Sequence, residues 1–105
     1  MTKVQKQQLN NLELRMCISG DLDAAAIEYL RADFDLLAKS SCDIQLDFSY
    51  VPFLDSSGIG AVVFLFKRMR IDNRNLKIIG AQGQPLKLLR HLRVDRTIDI
   101  NASLT

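Results

Sequence analysis

Residues 42–66 read CDIQLDFSYVPFLDSSGIGAVVFLF, and the change of period within them decides the fold. Cys42, Ile44, Leu46 and Phe48 alternate with Asp43, Gln45 and Asp47, the pattern of a half-buried strand. Beyond the serines the apolar residues recur at three- and four-residue intervals, which predicts a helix from about Ser57 to Ile71. Pro52 lies in the connection between the two. Gly58 and Gly60 each destabilise a helix interior by about 1 kcal/mol relative to alanine. Their place in the first turn therefore asks for a reason.

Outward from this unit the same reading continues. Val4–Leu9 is a weak strand candidate, Asn10-Asn11 supplies a hairpin turn, and Leu12–Ile18 alternates as a second strand. After Gly20-Asp21-Leu22-Asp23, the residues Ala26, Ile27, Leu30, Phe34, Leu37 and Ala38 give a helical period ending near Lys39-Ser40, with Asp23 as its N-cap. Residues 72–75 form a turn and Leu76–Gly80 a short buried strand. Pro85 suits a first helical position, followed by Leu86, Leu88, Leu89 and Leu92 as an apolar face. Thr97–Ile100 is a last edge strand. The order β-β-α-β-α-β-α-β predicts an α/β domain over residues 1–105. About five strands form a mainly parallel sheet opened by an antiparallel hairpin, with about three helices. Three helices are too few to cover both faces, so one face is expected to stay more open.

The strand-to-helix junction at Asp55-Ser56-Ser57 is a common place for functional groups in α/β sheets. Amides of a first helical turn lack intrahelical partners, and the aligned peptide dipoles favour negative charge there. A serine in this position accommodates a phosphate better than most surface sites. Pure capping is the competing reading, since Asp and Ser are both preferred N-caps. Capping alone does not account for two glycines, whereas glycines would leave backbone and hydroxyls accessible to another protein. The two readings are compatible.

Other chemistries are excluded more directly. SSGIG lacks the G-x-S-x-G of a nucleophile elbow, the one histidine, His91, sits in a basic helix, and no phosphate-binding G-x-x-x-x-G-K-[ST] occurs. Catalysis is not expected, nor is a metal or cofactor. Cys17 and Cys42 have no C-x-x-C spacing and read as reduced core thiols. Residues 1–54 carry five basic and eight acidic groups (−3), and residues 55–105 nine basic and four acidic (+5). Without interleaved aromatics or a recognition motif, the basic half reads as solvated helix surface, and nucleic-acid binding is not expected. No apolar run is long enough to span a bilayer and the first residues have no signal-peptide core, so a cytoplasmic protein without membrane insertion is expected.

Two segments resemble the STAS domain family, in particular its small stand-alone anti-sigma-factor antagonists. ISGDLDAAAIEYL (18–30) is similar to the family's G-[ED]-L-D segment. LDFSYVPFLDSSGIGAVV (46–63) is similar to D-x-S-x-V-x-F-x-D-S-S-G-L-G. The resemblance implies that Ser56 accepts phosphate, with Ser57 as the alternate. It implies as partners a serine kinase of histidine-kinase-like ATPase fold, usually also an anti-sigma factor, and a PP2C-type phosphatase. In that scheme the unmodified chain, a monomer when free, binds the kinase, and phosphorylation releases it. Asp21, Asp23, Asp55, Ser56, Ser57, Gly58, Gly60, Ala61 and Leu65 are the expected contacts, with Arg68 bordering them. Ile59, Val62, Val63, Phe66 and Met69 are expected in the core. A STAS-fold sensor, or an accessory subunit acting on a target other than a sigma-factor system, is the alternative.

Overall fold

The computed structural model describes residues 1–101. Strands β1 (Lys3–Asn10) and β2 (Glu13–Ser19) form the hairpin, and α1 (Ala24–Lys39) leads to β3 (Asp43–Tyr50). Then follow α2 (Ser56–Ile71), β4 (Leu76–Ile79), α3 (Gly83–His91), a 3₁₀ turn (Val94–Arg96) and β5 (Asp99–Ile100). The strands lie in chain order, β1 antiparallel to β2 and every later pair parallel.

That order has a consequence for the layers. Each crossover from β2 to β5 steps one strand in the same direction, and right-handed connections then place α1, α2 and α3 on one face. The register aligns Met16, Leu46 and Ile78 across the sheet, all fully buried beneath the helices. Leu30 and Leu37 of α1, Leu65 and Met69 of α2 and Leu89 of α3 complete one continuous core. Each such side chain contributes roughly 1.5–3 kcal/mol on leaving water. The opposite face carries the alternate residues and is polar. There Arg15 Nε donates to Gln45 Oε1 at 3.1 Å, and Gln45 Nε2 donates to Glu13 Oε2 at 2.9 Å.

The structure corrects several details of the sequence reading. In α2 the buried positions are Gly58, Val62, Leu65 and Met69, while Ile59, Val63 and Phe66 are half-buried. The run AVVFLF is apolar all round, so no polar residue marks the solvent side and the period alone leaves the helix rotation open. α3 starts at Gly83, which puts Pro85 third; a proline is tolerated there because first-turn amides have no intrahelical acceptor. Leu92 is its C-cap and 49% exposed, not a core residue. The last strand shortens to two residues because the 3₁₀ turn takes the chain before it, burying Val94 and Ile98. Cys17 and Cys42 are free and half-buried; Cys42, just before β3, packs against the core as expected, whereas Cys17 lies on the polar face.

Arg74, unremarked in the sequence, is buried and closes the end of α1. Its Nη2 donates to the Ala38 carbonyl at 2.6 Å and its Nη1 to the Leu37 carbonyl at 3.1 Å, satisfying acceptors that a helix C-terminus leaves orphaned. The exposed Asp72 carboxylate at 3.2 Å adds little beside these buried bonds. Arg74→Ala is expected to destabilise the fold by about 2–3 kcal/mol, the range for charge-assisted bonds whose buried acceptors are left unpaired. The measurement is the midpoint of urea unfolding, with Arg70→Ala on the exposed side of α2 as the near-neutral comparison.

Candidate functional site

Two strand-to-helix junctions lie side by side where β2 and β3 end. At the first, Asp23 Oδ1 accepts from the Ala26 amide at 3.0 Å; at the second, Asp55 Oδ1 accepts from the Gly58 amide at 3.0 Å. Both aspartates are N-caps in extended backbone, and each backbone carbonyl accepts the helix's first intrahelical bond. The junctions are joined by a short parallel bridge between Leu22 and Leu54. The Leu22 amide donates to the Phe53 carbonyl at 2.9 Å, and the Asp55 amide to the Leu22 carbonyl at 3.4 Å. Leu22 and Leu54 are both fully buried, so the bridge is anchored in the core.

This geometry answers the question the two glycines raise, differently for each. A Cβ on Gly58 would run into the Leu22 carbonyl oxygen and lie 2.5 Å from Leu54 Cδ1. Gly58 is therefore a close-approach residue that lets α2 begin against the neighbouring junction, and it is buried. Gly60 is exposed, and a Cβ there would meet nothing within 4 Å. No contact among the described residues explains it.

Of the residues predicted to face a partner, Asp21, Ser56 and Gly60 are exposed, and Asp23, Asp55, Ser57, Ala61 and Arg68 are half-buried. Gly58 and Leu65 have no surface to offer: Gly58 is closed by Leu22 and Leu54, and Leu65, at 1% exposure, points into the core. The Ser56 hydroxyl stands at the first position of α2, immediately after the cap. The first-turn amide of Gly58 is taken by Asp55 rather than by a serine.

Two aromatic side chains at the junction were missed from sequence. Tyr50, the last residue of β3, is 66% exposed and Phe53, in the connection, 41%. Exposed aromatics are enriched among the anchors of protein interfaces. Tyr50 is in phase with Ile44, Leu46 and Phe48, so alternation alone would have turned it inward. Farther along α2, Phe64 is 59% exposed, with the Arg68 guanidinium 5.7 Å from its ring centre. On the polar face of the sheet, burial first, and then the charge of Asp47, push the Cys17 thiol up, against smaller opposing effects of Ser19 and Arg15. Cys17 is thus a protonated thiol at neutral pH, not a nucleophile. Among the described residues no group of histidine, cysteine and carboxylate side chains is placed to hold a metal, and no helix is long and apolar enough to cross a membrane.

Comparison with known proteins bears on the fold and the family. The sequence profile of the STAS domain matches residues 3–105. The anti-sigma-B factor antagonist of Bacillus subtilis (strain 168) is 27% identical over 97 residues, covering 92% of this chain and 87% of that protein. The anti-sigma factor antagonist SpoIIAA in its unphosphorylated form superposes with a TM-score of 0.79 at 17% identity, covering 96% of this chain and 90% of that one. The Bacillus cell fate determinant SpoIIAA in its phosphorylated form gives 0.73 at 17% identity, covering 96% and 93%.

Gly58→Ala is expected to lower stability by about 1–3 kcal/mol through overpacking against backbone. Gly60→Ala should raise it by about 0.5–1 kcal/mol, since alanine replaces glycine in an open helical position. Chemical unfolding of the two variants reads the opposite signs.

Proposed function

The chain belongs to the STAS domain family, and on that premise we propose that it is a phosphorylation-controlled binding module of a partner-switching pathway. In this reading it antagonises an anti-sigma factor that is also its serine kinase. The observation that carries the proposal is the placement of Ser56. Its residue is exposed at the first position of α2, directly after a capping aspartate, on an edge flanked by exposed Tyr50 and Phe53. The similarity to an anti-sigma-B factor antagonist supports the general role.

The unmodified chain docks through the junction edge: Asp21, Asp23, Ser56, Ser57, Gly60 and Ala61, with the two aromatics as anchors. Gly60 then has a function that the isolated fold does not supply, admitting the partner's backbone or side chains against the first turn. Asp55 caps α2 and holds the serine in place. A phosphate on Ser56 adds about −1.5 to −2 charges at neutral pH. Within a docked interface that charge must lose its water or face the partner's own nucleotide phosphates. A loss of about 2.8 kcal/mol suffices for a hundredfold weaker complex. In the free chain the same charge is tolerated at the helix N-terminus, so the scaffold stays folded and only docking is switched. A PP2C-type phosphatase restores the binding form, and the cycle operates on a cytoplasmic monomer that itself performs no catalysis.

Ser56→Ala is expected to remain folded and bind its kinase constitutively, while Ser56→Asp binds at least tenfold more weakly. Titration calorimetry with the cognate kinase measures both, and equal affinities would defeat the proposal. Gly60→Ala, more stable in isolation, should bind more weakly than the parent chain in the same titration.

A further inference from the structure

The segment Phe53–Asp55 runs extended, so its backbone groups alternate in direction. The Phe53 carbonyl and the Asp55 amide pair with Leu22. The groups of Leu54 point the other way, where no strand among the described residues receives them. Leu54 is fully buried, and unpaired backbone groups at such a position are strongly disfavoured.

One side chain takes both. Gln84 Oε1 accepts from the Leu54 amide at 2.8 Å, and Gln84 Nε2 donates to the Leu54 carbonyl at 2.7 Å. A primary amide has the donor and acceptor spacing of a peptide edge, so Gln84 substitutes for the missing strand neighbour. The device recurs in the adjacent loop, where Asn101 Oδ1 accepts from the Ala81 amide at 3.0 Å and Asn101 Nδ2 donates to the Ala81 carbonyl at 2.8 Å. Gln82 Nε2 also reaches the Ser49 carbonyl at 3.2 Å. The start of α3 is thereby tied to both ends of the connection that carries the serine.

We infer that Gln84 is a positioning residue for the Ser56 phosphoacceptor. It holds Leu54 from the side opposite Leu22, and this fixes Asp55 as cap and presents the Ser56 hydroxyl in one geometry to an incoming kinase. This inference rests on the switch reading above and adds a residue thirty positions away from the serine loop, in a different element. Without the amide, the segment keeps its Leu22 bridge but loses its second support.

The test compares the parent chain with Gln84→Ala and Gln84→Glu. In Gln84→Ala the Leu54 amide should exchange with deuterium about tenfold faster in residue-resolved NMR, while the Leu46 amide in β3 keeps its protection. In Gln84→Glu at pH 7 the Leu54 carbonyl loses its donor, which the Asp55 nitrogen shift reports. Protonating the introduced carboxyl restores an O–H donor. The neutral form bonds both the amide and the carbonyl of Leu54, whereas the carboxylate keeps only the amide and faces the carbonyl oxygen. Its pKa is therefore raised above the ordinary ~4.3, and the parent-like shift should return as pH falls through that raised value.

Phosphate transfer to Ser56 from radiolabelled ATP is then followed with the kinase that co-purifies with the parent chain. The temperature is one at which all three proteins are fully folded. A residue that only stabilised the fold would leave this rate unchanged; the positioning role predicts kcat/KM about tenfold lower in Gln84→Ala. Unchanged Leu54 exchange, or faster exchange with an unchanged transfer rate, overturns the inference while leaving the switch standing. A parent chain that takes no phosphate on Ser56 overturns the switch itself, and the inference with it.

Discussion

The candidate site depends on a three-residue stretch of backbone in which the Phe53 carbonyl, both groups of Leu54 and the Asp55 amide are paired. Phe53 and Asp55 pair with Leu22, and Leu54 pairs with the Gln84 amide. Because Leu22 and Leu54 are also the apolar anchors of the junction layer, the same contacts that complete the core aim the serine outward. Backbone pairing near the core is directional and tolerates little displacement, which suits Ser56 in its proposed role as phosphoacceptor.

The one-sided arrangement of helices explains why the groups of the candidate site collect at this edge. Sequential strand order forces every parallel crossover over the same face, and the carboxyl ends of β2 and β3 bring their helix N-termini together. Two capping aspartates, a serine hydroxyl and exposed aromatics then share one rim. The polar face of the sheet plays no part in this geometry. Its Glu13, Arg15 and Gln45 hydrogen bonds satisfy residues that alternation turns away from the core.

The proposed switch requires little of the fold. The core lies beneath the junction, the proposed phosphate lies above it, and a helix N-terminus accommodates an anion without rearrangement. Gly58 and Gly60 divide the labour. One allows the chain to close on itself at Leu22, and the other leaves an open helical position that nothing among the described residues fills.

Strands, helices and their order were legible because alternation in Cys42–Phe48 and three-four spacing in Ala26–Ala38 are local properties of the chain. Both aspartate caps were legible for the same reason, since a cap acts over three residues. The rotation of α2 was not, because a helix apolar all round records no solvent side; hence Leu65 lies in the core and Ile59 only at its margin. Nor were Gly58's contact with Leu22, the Arg74 cap on α1 and the Gln84 support of Leu54, each joining residues about thirty or more positions apart. The sequence by itself determined the elements, their order and the serine junction, since these follow from neighbours along the chain. Which atoms meet across the junction was decided only by the tertiary structure, because hydrogen bonds and close packing between distant segments depend on distances that no periodicity encodes.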